Sequence, residues 1–121
     1  MKKVSKEELR KIVEKHGRWL RGEEGGEWAD LSGMDLRWAD LSDAILGGAD
    51  LSWSDIYGAN LRGANLTGAD LRGADLAGAD ISEADLSDAN LAGANLSWSD
   101  LREANLEGAD LTEANLDGAK R

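Results

Sequence analysis

The chain has 121 residues and carries 24 Asp and Glu against 14 Lys and Arg, a formal net charge of −10, with no Cys, Pro or Phe. That length suits a single domain, and the lack of cysteine excludes a disulfide framework and any thiolate metal site. No stretch is apolar and long enough to span a membrane and no N-terminal run reads as a signal peptide, so a cytoplasmic protein is expected.

The first predicted element is a helix over residues 4–16. Ser5 has the chemistry of an N-cap, and Glu8, three residues on, completes a capping box. Val4 and Leu9 occupy the flanking staple positions. Leu9, Ile12, Val13 and His16 then recur at helical spacing and form one apolar face, and Gly17 reads as the stop. A helix this short is marginal alone. Trp19 and Leu20 add apolar bulk before the turn from Gly22 to Gly26. Residues 1–26 therefore read as a cap and linker laid over the end of a body formed by residues 27–121. The charge divides at the same place. The first part holds eight Lys and Arg against five Asp and Glu; the second holds six against nineteen, a net −13. So acidic a body argues against direct nucleic-acid binding, where phosphate contacts dominate affinity, and suits a basic partner.

From Ala29 onward the sequence repeats with a period of five. Every fifth residue from Leu31 to Leu116 is apolar, eighteen positions in all, sixteen Leu plus Ile56 and Ile81. Two residues before each stands Ala, except at Met34, Ser54 and Ser99. The residue between is Asp or Asn, except Ile45. A period of five holds one face of neither a helix nor a flat strand. A short extended piece followed by a corner fits it, with the small residue and the Leu inward and the Asp or Asn outward. Gly fills the second corner position in ten of the eighteen repeats, where a type II turn needs positive φ. The other eight carry Trp, Asp or Glu there, which predicts a different turn type at those corners.

The Ala-Asp/Asn-Leu-x-x pattern from Ala29 to Gly118 resembles the pentapeptide repeat family, and the N-terminal piece is similar to the helical caps that precede such repeats. The resemblance implies an all-β solenoid: a right-handed, four-sided β-helix with twenty residues per coil, about four and a half coils here, capped by a short α-helix. Stacking by twenty makes Leu31, Leu51, Leu71, Leu91 and Leu111 one inner ladder. Ser54 and Ser99 then lie inside, and each should bond a nearby carbonyl. Met34 enlarges a core site near the cap. Ile45 either covers a contact with the cap helix or marks an irregular corner.

The same stacking defines the candidate interaction surface. Asp30, Asp50 and Asp70 form one outer column, and Asp35, Asp55 and Asp75 form the next. Carboxylates one coil apart repel by about 1 kcal/mol in water. Either they serve the repeat's own hydrogen bonding or they form an anionic face for a partner. Trp38, Trp53 and Trp98, with Trp28, stand at second corner positions, where they either cover a neighbouring corner or serve an interface. Arg37 lies one coil from Tyr57, within reach of a cation–π contact.

Nothing in the sequence supports an enzyme. His16 is the only histidine and belongs to the cap, no Gly-rich phosphate loop precedes a helix, and the acidic columns run in a line rather than converging on a metal. No catalytic residue, cofactor or metal ligand is expected. The leading expectation is a binding or scaffold module that shows a rigid acidic rod to a protein partner. The resemblance adds a second reading, since some family members mimic DNA and occupy the DNA site of type II topoisomerases such as gyrase. Against it stand the short body and the lack of a C-terminal apolar helix. A third reading is an engineered or truncated scaffold with no evolved partner. An uncapped last coil would leave an edge through which a homodimer could form.

Overall fold

The computed structural model describes residues 1–121. Helix α1 runs from Lys6 to Leu20. Ser5 is its N-cap, extended at φ −70° and ψ 161°, and its hydroxyl oxygen accepts from the Glu8 N–H at 3.1 Å. Leu9 and His16 are buried on the face turned to the body, with Val4, Ile12 and Val13 partly buried beside them. The helix does not stop at Gly17, which is buried within it. It ends at Arg21, whose N–H bonds the Gly17 and Arg18 carbonyls, and the chain reverses through Gly22 at φ +68°.

Tertiary contacts explain the extra turn. Gly26 crosses directly over the backbone of Trp19, where no side chain would fit. Glu27 then donates to the Lys15 carbonyl at 3.0 Å. These contacts, with those of His16, outweigh the roughly 1 kcal/mol that a mid-helix Gly costs. The cap is also tied to the body by a short strand that the sequence did not announce. Strand β1, Lys2–Lys3, pairs in parallel with β2, Met34–Asp35.

Beyond β2 the chain folds by the register of twenty. Parallel bridges join Asp30 to Asp50, Asp50 to Asp70 and Asp70 to Asn90, and the same step repeats on the other sides to Asp100 and Lys120. Leu31 donates to the Asp50 carbonyl at 2.7 Å, and Asp50 donates back to Ala29 at 3.1 Å. Each bridge is one residue wide because the chain turns every five residues. Twenty residues per step is four such pieces, the repeat of a four-sided coil.

Inside, the apolar ladders pack without polar gaps. The central residues from Leu31 to Leu96 are all buried, most of them completely. Ser54 donates to the Leu51 carbonyl at 2.5 Å and Ser99 to Leu96 at 2.7 Å, as expected of buried hydroxyls. Met34 is half-buried beside β1. In the last coil Leu106, Leu111 and Leu116 are only half-buried.

The corners are more uniform than the sequence suggests. All eight non-Gly residues at the second corner position have positive φ, from 58° at Asp43 to 63° at Trp38 and Glu103. The expectation of a different turn type there is wrong. The turn bond, such as Ala39 N–H to the Leu36 carbonyl at 3.1 Å, is kept at these corners. Left-handed backbone costs a non-Gly residue about 1 kcal/mol. The ladder imposes it, because the corner N–H must reach the next coil, as Trp38 reaches the Tyr57 carbonyl at 2.9 Å.

Candidate interaction surface

The outward Asp and Asn side chains first serve their own turns. In all seventeen repeats that have one, its Oδ1 accepts the backbone N–H two residues on. This is an Asx turn, the local alternative these residues offer a backbone. It asks for an oxygen, not a charge, and Asn60, Asn65 and Asn90 satisfy it as Asp does. The exception, Ile45, stays half-exposed and in register with Asn65, so the coil is regular there. Its corner serves the cap instead. The Gly47 carbonyl accepts from His16 Nε2 at 2.7 Å, and the Gly48 carbonyl accepts from the Trp28 indole at 2.9 Å.

The predicted acidic columns form as two adjacent faces. Asp30, Asp50 and Asp70 bridge in register on one, and Asp35, Asp55 and Asp75 on the next. Their charges are not equally free. Asp30 and Asp50 hold the hydroxyls of Ser32 and Ser52 at 2.6 Å. Asp35 and Asp70 hold the guanidinium groups of Arg37 and Arg72. The hydrogen-bonded Arg37 lowers Asp35 to a pKa of about 2, and Arg102 does the same for Asp100. Hydrogen bonds from Ser32 and Arg72 likewise lower Asp30 and Asp70. Asp55 has Arg37 only at 3.8 Å. Asp75 meets a backbone N–H, that of Ala77, and neither a hydroxyl nor a cation.

Trp53 stands on the corner between the two acidic faces, while Trp38 and Trp98 share the far corner of the second face, sixty residues apart. They are not brought together into one cluster. Each is mostly exposed, at 71 % for Trp38, 67 % for Trp53 and 75 % for Trp98. Each also leans over a Gly one coil on: Trp38 over Gly58, Trp53 over Gly73 and Trp98 over Gly118. Arg37 turns to Asp35, and Tyr57 instead packs its ring edge-on to Trp38 at 5.3 Å.

His16 is fully buried and committed to the cap. Its Nδ1 accepts the Ala29 N–H at 3.0 Å, so the proton sits on Nε2 and is donated to Gly47. Both ring nitrogens are used in seating the cap. Nowhere do three or more His, Asp or Glu side chains converge as a metal site would need.

The family model for pentapeptide repeats matches residues 27–56, 54–91 and 89–120, in eight copies. The chain belongs to the pentapeptide repeat family. Membership brings with it the right-handed β-helix, and two solved structures agree. A pentapeptide repeat protein from the Arabidopsis thaliana thylakoid lumen is 36 % identical, with a TM-score of 0.72 over 75 % of this chain and 63 % of that one. The chain thus spans under two thirds of that protein's length. Rfr23, from the cyanobacterium Cyanothece 51142, is 27 % identical, with a TM-score of 0.64 over 76 % of this chain and 83 % of that one. A search of curated proteins finds no match.

Two features of this pentapeptide repeat surface escaped the sequence reading. One is a cleft of about 820 Å³ between α1 and the first coil, floored by Leu9, Val13, Leu36 and Leu41 and rimmed by Lys3 and Lys6. Nothing local announces it, because it depends on how the cap is seated. The other is the open corner at Gly78, which follows the small, buried Ala77. The step of twenty does announce that one: the column Arg37, Tyr57, Ala77, Ser97, Asp117 has its smallest member there.

Proposed function

We propose that the chain is a non-enzymatic binding module that presents two adjacent acidic faces and their tryptophan corners to a protein partner. One observation carries this. Trp38, Trp53 and Trp98 occupy positive-φ corners where Gly would cost nothing, and they remain mostly exposed. Aromatic side chains placed so are the residues that dominate interfaces. The acidic faces support the reading, since the Asx turns are met equally well by Asn and so do not require the charge. The division into a cap of residues 1–26 and a body of residues 27–121 is part of the proposal. So is a cytoplasmic location, although one similar structure comes from the thylakoid lumen.

The test is affinity capture from extract on the wild-type chain, followed by titration of the purified partner. Replacing Trp38, Trp53 and Trp98 together by Gly removes the rings and relieves the backbone. An interface role predicts at least about tenfold weaker binding with the fold retained. Equal binding would sink the proposal. The in-register Asp30, Asp50 and Asp70 column also favours a second reading, a DNA mimic acting on a type II topoisomerase such as gyrase. It predicts inhibition of supercoiling that weakens on Asp50→Asn and Asp70→Asn and at higher salt. A homodimer through the coil edge carrying Leu106, Leu111 and Leu116 belongs to the same proposal, and light scattering after gel filtration tests it.

A further inference from the structure

Three backbone groups tie each side of a coil to the coil before it. Asn60 donates to the Ala39 carbonyl at 2.9 Å, its own carbonyl accepts from Leu41 at 2.7 Å, and the Arg62 carbonyl accepts from Asp43 at 2.9 Å. Asp40 is in register with Asn60, one coil earlier. There the same three groups, the Asp40 N–H and the carbonyls of Asp40 and Ser42, have no partner in the chain. The neighbouring sides at this end are held by the cap. Strand β1 lies on Met34–Asp35, His16 takes the Ala29 N–H and the Gly47 carbonyl, and Trp28 takes the Gly48 carbonyl.

The bare side opens into the cleft of about 820 Å³ beside α1. Its inner positions are uncovered as well. Ala39 and Ala44 are half-buried, whereas Ala59 and Ala64, one coil on, are at most 1 % exposed. Val4 and Val13 of the cap, also half-buried, line the same cleft. Lys3 and Lys6 stand on the rim and enter no ion pair, while Arg10 is paired with Glu7. The last coil has a bare edge too, but no helix stands opposite it to make a cleft.

We propose that this cleft binds an extended segment of a protein partner, which adds as a parallel strand to the edge of residues 39–42. A bare strand edge is a template for another chain, and an added strand takes its affinity from main-chain bonds and its specificity from alternate side chains. The segment's residue over Asp40 is uncharged, because a second carboxylate one coil away would be repelled. The residues flanking it are small and apolar and turn inward onto Ala39, Ala44 and Val13. An acidic residue ahead of them meets Lys3 and Lys6. The inference goes beyond the acidic-face reading and uses a different surface, at the cap end, so either can fail without the other.

The probe is a blocked hexapeptide, aspartate-alanine-asparagine-leucine-serine-glycine, titrated into the isotope-labelled full chain and followed by NMR. The expected result is saturable movement of the Asp40 and Ser42 amides and slower hydrogen exchange at the Asp40 N–H. The same peptide N-methylated at its leucine cannot donate to the Asp40 carbonyl and should bind about fivefold more weakly. Asp40→Pro removes an N–H that the fold does not use, at an edge where proline is tolerated. It should weaken the peptide at least as much, and unchanged amides from Leu71 to Leu91 report that the body stays folded. Lys3→Gln with Lys6→Gln should weaken it about threefold, an effect lost at high salt. Equal binding by the N-methylated peptide overturns the proposal, because the cleft would then take apolar chains without forming a strand. Unmoved Asp40 and Ser42 amides also overturn it.

Discussion

The indole of Trp38 lies across the α-carbon of Gly58, one coil on, and leaves no room there for a side chain. Trp53 and Gly73, and Trp98 and Gly118, repeat the arrangement. Gly58→Ala would meet both the ring and an unfavourable φ of +65°, for a loss of about 2–3 kcal/mol. Gly78→Ala meets only the backbone cost, about 1 kcal/mol, because its corner is open. Adding Trp38→Gly to Gly58→Ala should bring the loss down to that of Gly78→Ala. Urea denaturation of the four proteins measures this.

The outward Asn and Asp should be interchangeable for folding and irreplaceable by Ala. Asn65 accepts from both the N–H and the hydroxyl of Thr67, at 3.1 and 2.7 Å. Asn65→Asp should leave the denaturation midpoint nearly unchanged, whereas Asn65→Ala should cost about 1 kcal/mol. Equal losses would mean the Asx turn is not what the position supplies.

Acid should weaken the fold in a defined window. Asp35 and Asp100 are held at a pKa of about 2 by their arginines, against an ordinary value of 3.8. A depressed carboxyl adds stability above its unfolded value and loses it as pH falls through the folded one. Stability from these pairs is therefore full above about pH 4 and is lost towards pH 2. Arg37→Ala with Arg102→Ala should lower stability slightly at neutral pH and flatten its fall across that window. Midpoints measured at each pH give the comparison.

The cap should depend on His16. Its removal in His16→Ala leaves the buried Ala29 N–H and the partly buried Gly47 carbonyl without partners, which costs about 3 kcal/mol. Hydrogen exchange should then speed up in α1 and at Ala29 before it does near Leu71. Uniform exchange across the chain would show that the cap and body do not open separately.

Much of this was legible in the sequence, because a strict period leaves the chain few choices. The Leu and Ala ladders, the Ser5 cap and the hydroxyl bonds of Ser54 and Ser99 all follow from spacing and from the need to pair buried polar groups. The corners at Trp38 and Glu83 were misread because residue preference for left-handed backbone is a local matter of about 1 kcal/mol, while ladder bonds on both sides fix the turn. The helix passes Gly17 for the same reason: docking of His16 outweighs a weak local signal. Lys2–Lys3 forms a strand only because Met34–Asp35 offers an edge, and two residues carry no periodicity. The covering of Gly58 by Trp38, and the open corner at Gly78, need residues twenty apart to be compared as neighbours.

The most direct test of the surface is the unfolding free energy of Trp38→Gly, measured beside its partner affinity. The buried part of the indole contributes about 1–2 kcal/mol, and relief of the left-handed backbone returns about 1 kcal/mol. A ring kept for an interface predicts a stability loss below about 2 kcal/mol together with weakened binding. A loss of about 4 kcal/mol, the size of a core truncation, with partner affinity unchanged in the folded fraction, would show that Trp38 is there to hold the corner and would contradict the interface.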